Sequence, residues 1–168
     1  MLMAFHSAAE TQKFAQKIAR TLKPRGGRAA TLALAGELGS GKTTFAQAFA
    51  QALGVKAKVL SPTFILMQPF KLLNLETFKS FSTLWHVDCY RLERPEELER
   101  LGFKDILNNP KNIVVVEWAD KVRRLLPKDA LWIRFEHGKE ENERRIIINP
   151  KSKFQMSNQR LKSKIQTD

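Results

Sequence analysis

Between Gly36 and Thr43 the chain reads Gly-Glu-Leu-Gly-Ser-Gly-Lys-Thr, with glycines at 36, 39 and 41 leading into a lysine and a hydroxyl. The spacing is G-x-x-x-x-G-K-[ST], and the chemistry it suits is capture of a polyphosphate. Glycines let the backbone turn through conformations that a Cβ penalises, so that several N–H groups point inward at one anion. The first turn of a following helix adds unpaired donors and the positive end of its dipole. Lys42 then reaches the β- and γ-phosphates, and the Thr43 hydroxyl offers an oxygen to Mg²⁺. Gly36, Glu37, Leu38, Gly39, Ser40, Gly41, Lys42, Thr43 and Thr44 are therefore the candidate nucleotide-binding set. The flanks agree. An apolar run at 31–35 breaks at Gly36, and Phe45, Ala48, Phe49 and Ala52 recur at helical spacing until Gly54. Strand, loop and helix in that order predict a nucleoside triphosphate site.

Such a site also needs an acidic residue at the end of a strand beside the loop strand. Two carboxylates qualify. Glu117 closes the β-branched run 113–116, which reads as a strand buried on both faces. A carboxylate there is costly unless a cation or donor meets it. Asp88 closes the more polar strand 83–87 and would hold the metal's water or orient the attacking one; its plainer reading is an aspartate paired with Arg91. Thr63, in the proline-stiffened turn Ser61-Pro62-Thr63-Phe64, stands where a hydroxyl that senses the γ-phosphate would come, although such strings also serve as simple turns. Trp118 reads as a core aromatic, with a place beside the nucleotide as the sharper alternative. His86 reads as a satisfied sheet histidine and Cys89 as a packed thiol without a nucleophile's partners. Arg91 and Arg94 are the candidates for an arginine acting in cis.

The elements that must position these residues follow from the periodicity. A short strand at 2–6 leads to a serine cap, Ser7, with Glu10 three residues on, and then to a helix with Phe14, Ile18 and Leu22 on its apolar stripe. After the loop helix come strands at 65–70 and 83–91 around a mixed insertion, 71–82. Pro95 then opens a short helix that stops at Gly102. The buried run 113–116 follows, then a helix over 120–126, and alternating runs at 131–136 and 144–148 that read as an antiparallel hairpin. The order βα–βα–β–β–α–β–α–ββ predicts an α/β domain over 1–150 of the P-loop NTPase kind. Its central sheet is expected to be mostly parallel, with helices on both faces and the hairpin at its C-terminal end. Residues 151–168 form a basic tail, read as a solvated or disordered terminus ahead of a binding arm.

The totals restrict the remainder. One cysteine among 168 residues excludes an intrachain disulfide and a cysteine metal cluster. No apolar run approaches a membrane span and the first residues lack a leader's pattern, so a cytoplasmic protein without membrane contact is expected. The net charge of +12 favours nucleic acid or an acidic partner and says little about fold.

Taken together, GELGSGKTTFAQAF (36–49), SPTF (61–64), HVDCYRL (86–92) with PEELERLGF (95–103), and VVEWADKV (115–122) resemble the TsaE family, in order and spacing over residues 5–149. The resemblance implies a small P-loop ATPase, weakly active alone, required for threonylcarbamoyladenosine (t6A) in tRNA. It would work with the TsaD–TsaB heterodimer, which transfers the threonylcarbamoyl group. It also implies ATP and Mg²⁺ as cofactors, Lys42 on the phosphates, Thr43 and Glu117 on magnesium, Asp88 as the essential aspartate, Thr63 as the switch threonine and Trp118 close to the nucleotide. The insertion 71–82 and the basic tail depart from the family pattern, and they bear on partner geometry. Two other functions compete. A small-molecule or nucleoside kinase would need an arginine-rich lid, whereas 91–100 carries three arginines against four glutamates. A nucleotide-gated RNA-binding module would draw on the positive charge and lose tRNA affinity steeply with salt.

Overall fold

The computed structural model describes residues 2–24, 26–57, 66–72, 80–140 and 143–148. Thr63, most of the 71–82 insertion and the 151–168 tail lie outside those residues. Seven strands form one sheet in the order β1-β7-β6-β2-β5-β4-β3. They are β1 (Leu2–Phe5), β2 (Ala30–Gly36), β3 (Met67–Lys71), β4 (Thr83–Asp88), β5 (Asn112–Glu117), β6 (Leu131–His137) and β7 (Arg144–Ile148). The middle of the sheet is parallel, with β2 between β5 and β6 and with β4 beside β5. Both margins are antiparallel, through β1–β7, β6–β7 and β3–β4. The sheet is therefore mixed, with the expected parallel centre and C-terminal hairpin and a further antiparallel pair, β3–β4, at the other margin. A parallel neighbour requires a crossover of a dozen or more residues, usually a helix. No helix is described between β3 and β4 or between β6 and β7, and both pairs run antiparallel. Pro69 sits in β3, the margin strand, where a missing N–H leaves no gap in a ladder.

Helices cover both faces. On one, α1 (Ala8–Thr21) and α2 (Lys42–Ala52) pack against alternate residues of the central strands, among them Leu32, Leu34, Ile113 and Val115. Phe45 joins this layer together, its ring centroid 5.8 Å from Phe14, 6.0 Å from Phe49 and 5.6 Å from Phe135. On the other face α3 (Pro95–Arg100), α4 (Phe103–Asn108) and a 3₁₀ segment (Ala119–Leu125) pack on Ala33, Val87, Val114 and Val116. Side chains alternate along a strand, so Glu117 belongs to the face of Val115 and Asp88 to the face of Leu84, the face that α2 covers.

Local chemistry accounts for the element ends. The Ser7 hydroxyl accepts the Glu10 N–H at 3.2 Å, while Glu10 Oε2 accepts the His6 N–H at 2.7 Å, a capping box displaced by one residue. Helix α4 had no counterpart in the expected order. It is one short turn with Phe103 and Leu107 buried, begun where Gly102 takes a φ of 77°. The helix expected over 120–126 is instead a 3₁₀ segment, with Val122 out of helical geometry at φ −119°.

Candidate functional site

Gly36 ends β2 with a φ of 139°, and a Cβ placed there would lie 2.2 Å from the Phe135 carbonyl oxygen. Only glycine lets β2 leave the sheet this close to β6. The loop is then closed on itself, because both the N–H and the hydroxyl of Ser40 donate to the Glu37 carbonyl, at 3.3 and 2.7 Å. From the far side His137, the last residue of β6, places Nε2 3.1 Å from the Leu38 carbonyl and donates to it. Gly39 and Gly41 carry positive φ, and Gly41 is the cap from which α2 starts. Lys42 opens α2 and turns back. Its ammonium donates to the Gly36 and Glu37 carbonyls at 2.9 and 2.7 Å and lies 4.0 Å from the Trp118 ring centroid. Burial lowers the pKa of Lys42, and the charges of Glu117, Asp120 and Asp88 work against that shift.

The opposite side is built from the ends of β5 and β4. Leu34, Glu117 and Asp88 are register partners across three adjacent strands, which sets both carboxylates beside the root of the loop. Glu117 is almost fully buried and both of its oxygens are engaged. Oε2 accepts the Thr43 hydroxyl at 2.7 Å and Oε1 accepts His86 Nε2–H at 2.8 Å. Asp88 Oδ1 accepts the Tyr90 N–H at 2.9 Å, turning the chain after β4, and the Cys89 N–H donates to the Glu117 carbonyl at 3.1 Å. Lys121 holds the same turn by donating to the Tyr90 and Leu92 carbonyls. Trp118 leaves β5 in the left-handed region at φ 57°, unusual for a bulky residue, and its ring meets Tyr90 at 5.0 Å.

Between the two sides lies a cavity of about 370 Å³. Leu38, Gly39, Gly41, Lys42, Thr43 and Thr44 line it from the loop, and Asp88, Tyr90, Glu117 and Trp118 from the strand ends. Every one of these except Tyr90 belongs to the set read from the sequence. Gly36, Glu37 and Ser40 shape the loop and do not line the cavity; the first two offer their carbonyls to Lys42. Neither Arg91 nor Arg94 lines it. Tyr90, His86, Lys121 and His137 were missed as members of the site. The alternation in His86-Val87-Asp88 puts His86 on the face of Asp88, which was the available clue for that residue. Among the described residues no cluster of three or more His, Cys, Asp or Glu side chains could hold a metal by itself. None of the described helices is long and apolar enough to cross a membrane.

A parallel-centred α/β sheet with a glycine-rich loop at the carboxyl ends of its strands defines a class of ligand-binding domain whose site lies in that crevice. Comparison with known proteins narrows the class. The model of the family described as threonylcarbamoyl adenosine biosynthesis protein TsaE matches residues 5–146, and the chain belongs to the TsaE family. A Rickettsia conorii protein named tRNA threonylcarbamoyladenosine biosynthesis protein TsaE is 35% identical over 155 residues, 90% of this chain and 81% of its own. The Bacillus subtilis protein of the same name is 34% identical over 135 residues, 80% and 77% of the two chains. The crystal structure of Bacillus subtilis YdiB superposes with a TM-score of 0.69 at 28% identity, covering 88% of this chain and 83% of that one.

Proposed function

We propose that this chain is an Mg²⁺-dependent P-loop ATPase that serves t6A modification of tRNA in concert with TsaD and TsaB. The observation that carries the reading is the Thr43–Glu117 hydrogen bond, which joins the first turn after the glycine loop to the end of the neighbouring strand. Family membership and the names of its relatives support the pathway. The donor set suits the ion. Thr43, Glu117 and Asp88 offer hard oxygens, too few to cage Mg²⁺, as befits an ion that keeps waters and shares phosphate oxygens. When bound, the ion would neutralise charge on the transferred phosphoryl group.

The protein's own groups do the rest. Backbone N–H groups from Gly39 to Thr44 cradle the phosphates, and Lys42 exchanges two carbonyl partners for phosphate oxygens. Asp88 orients water near the γ-phosphate, and Thr63 reports its presence. Trp118 and Tyr90 close the cavity mouth with aromatic surface. The kinase alternative has less support, because none of the described residues that line the cavity is an arginine. The test is phosphate release by the purified chain, alone and with TsaD and TsaB. Slow release alone and a clear rise with both partners is the expected result. Tight ATP binding with no stimulation would overturn the partnership, and acceptor-specific stimulation by a small molecule would make it a kinase.

A further inference from the structure

His86 is the buried polar group of this region to which the proposed ATPase leaves no task. It lies on β4 between β3 and β5, is 1% exposed, and does not line the cavity. Its partner is a carboxylate oxygen, so Nε2 carries the hydrogen. Among the described residues the buried Nδ1 has no hydrogen-bond partner. An unpartnered buried polar atom costs stability, and a leucine at this position would avoid the cost. What the histidine supplies in return is the bond to Glu117.

That bond completes a chain across three elements. From β4, His86 holds Oε1 of Glu117 at 2.8 Å; Glu117 stands at the end of β5; and its Oε2 accepts from Thr43 on α2 at 2.7 Å. We propose that His86 is a positioning residue, which by fixing Oε1 keeps Oε2 and the Thr43 oxygen directed at one point before any ion or nucleotide arrives. The proposal rests on the reading of Thr43 and Glu117 as magnesium ligands. Groups that hold a metal ligand by its second polar atom set its orientation, and their loss weakens metal binding about 10- to 100-fold. Without His86, Glu117 keeps one anchor, and the nearby Lys42 ammonium is free to draw it away from Thr43.

The experiment titrates Mg²⁺ into the full chain at fixed concentration of a fluorescent ATP analogue and reads binding, with the same measurement in EDTA as control. His86→Leu is expected to raise the Mg²⁺ midpoint about tenfold or more while leaving binding in EDTA unchanged. His86→Gln, which keeps an N–H donor at about the reach of Nε2, is expected to bring the midpoint back close to that of the native chain. An unchanged midpoint in His86→Leu would overturn the proposal. So would a His86→Gln midpoint as far shifted as that of His86→Leu, or an equal loss in EDTA and in Mg²⁺, since either marks a packing role. If His86→Leu does not fold, His86→Asn replaces it, because the shorter amide stays polar and does not reach Glu117. A native chain that binds the analogue equally well with and without Mg²⁺ would sink the metal reading of Thr43 and Glu117 itself. A failure confined to the His86 variants leaves that reading standing.

Discussion

The loop wall of the cavity, 36–44, is made mostly of backbone, whereas the wall formed by the ends of β4 and β5 is made of side chains. On the loop wall three glycines hold φ values of 139°, 74° and 101°, and the one charged group that lines the cavity, Lys42, rests on carbonyls of its own loop. Leu38, at its tip, is 70% exposed. On the strand wall two carboxylates are almost fully buried. They are fixed by the Asp88–Glu117 register pair, by the Cys89 N–H on the Glu117 carbonyl and by Lys121 across the turn. A wall of N–H groups and one cation suits taking up an anion of variable position. A wall of tied carboxylates suits holding charge at a fixed point. Binding and turnover should therefore separate by wall.

The largest expected effect is on the loop wall. Lys42→Ala removes the charge that meets the phosphates, and triphosphate affinity should fall about a hundredfold or more, measured by calorimetry. On the strand wall, Glu117→Ala should leave ATP bound within a small factor at saturating Mg²⁺ and lower hydrolysis about a hundredfold. Undiminished hydrolysis by Glu117→Ala would transfer the metal role to Asp88. If both variants lost binding equally, the division between the walls would be false.

Sequence and structure agree best where the chemistry is local. The glycine loop is contiguous, so its members could be named from spacing alone, and Leu38, Gly39, Gly41, Lys42, Thr43 and Thr44 line the cavity. Glu117 was legible because a carboxylate ending four β-branched residues is an electrostatic anomaly at any register. His86 was not, because its bond to Glu117 depends on β4 and β5 being neighbours with Asp88 opposite Glu117, which spacing along the chain does not encode. Tyr90 and Lys121 were missed for the same reason, since their partners come from another strand's end. The β6–β7 hairpin was readable from its alternating runs, but the antiparallel pairings of β1 and β3 were not, because periodicity reports that a strand exists and not which way its neighbour runs. Helix α4 is too short for its period to stand out. The strand–helix frame of the site was readable, and the side-chain ties across it were not.

A middle-sized effect tests whether the loop wall is one unit or two. Gly36→Ala forces a Cβ to within 2.2 Å of the Phe135 carbonyl and keeps a φ of 139°. The backbone strain alone is about 1–3 kcal/mol, and separating β2 from β6 adds to it. Gly41→Ala meets no atom within 4 Å and bears only the cost of its φ of 101°. Urea unfolding should show Gly36→Ala as clearly the less stable of the two. Equal losses would mean that the approach of β2 to β6 contributes nothing and that the loop wall stands apart from the sheet.

The smallest effect is on the back of the strand wall. Burial pushes the Cys89 thiol up to about 12, Asp88 adds to the shift, and Lys121 opposes it. The unfolded thiol ionises around its ordinary value of 9.0 while the folded one keeps its proton. Between those values the native state binds more protons, so this contribution to stability falls as pH rises, by about 1 kcal/mol at pH 10. Lys42 works in the opposite sense, because its lowered pKa makes the unfolded state the better proton binder as pH approaches 10.5. Comparing the native chain with Cys89→Ala in urea at pH 8 and pH 10 cancels the Lys42 contribution and isolates the thiol. The stability gap should narrow between the two pH values by about the same 1 kcal/mol. In parallel, iodoacetamide should label Cys89 at pH 9 only after unfolding. Rapid labelling of the folded chain would show that the turn after Asp88 opens readily, and the strand wall would then be no more rigid than the loop.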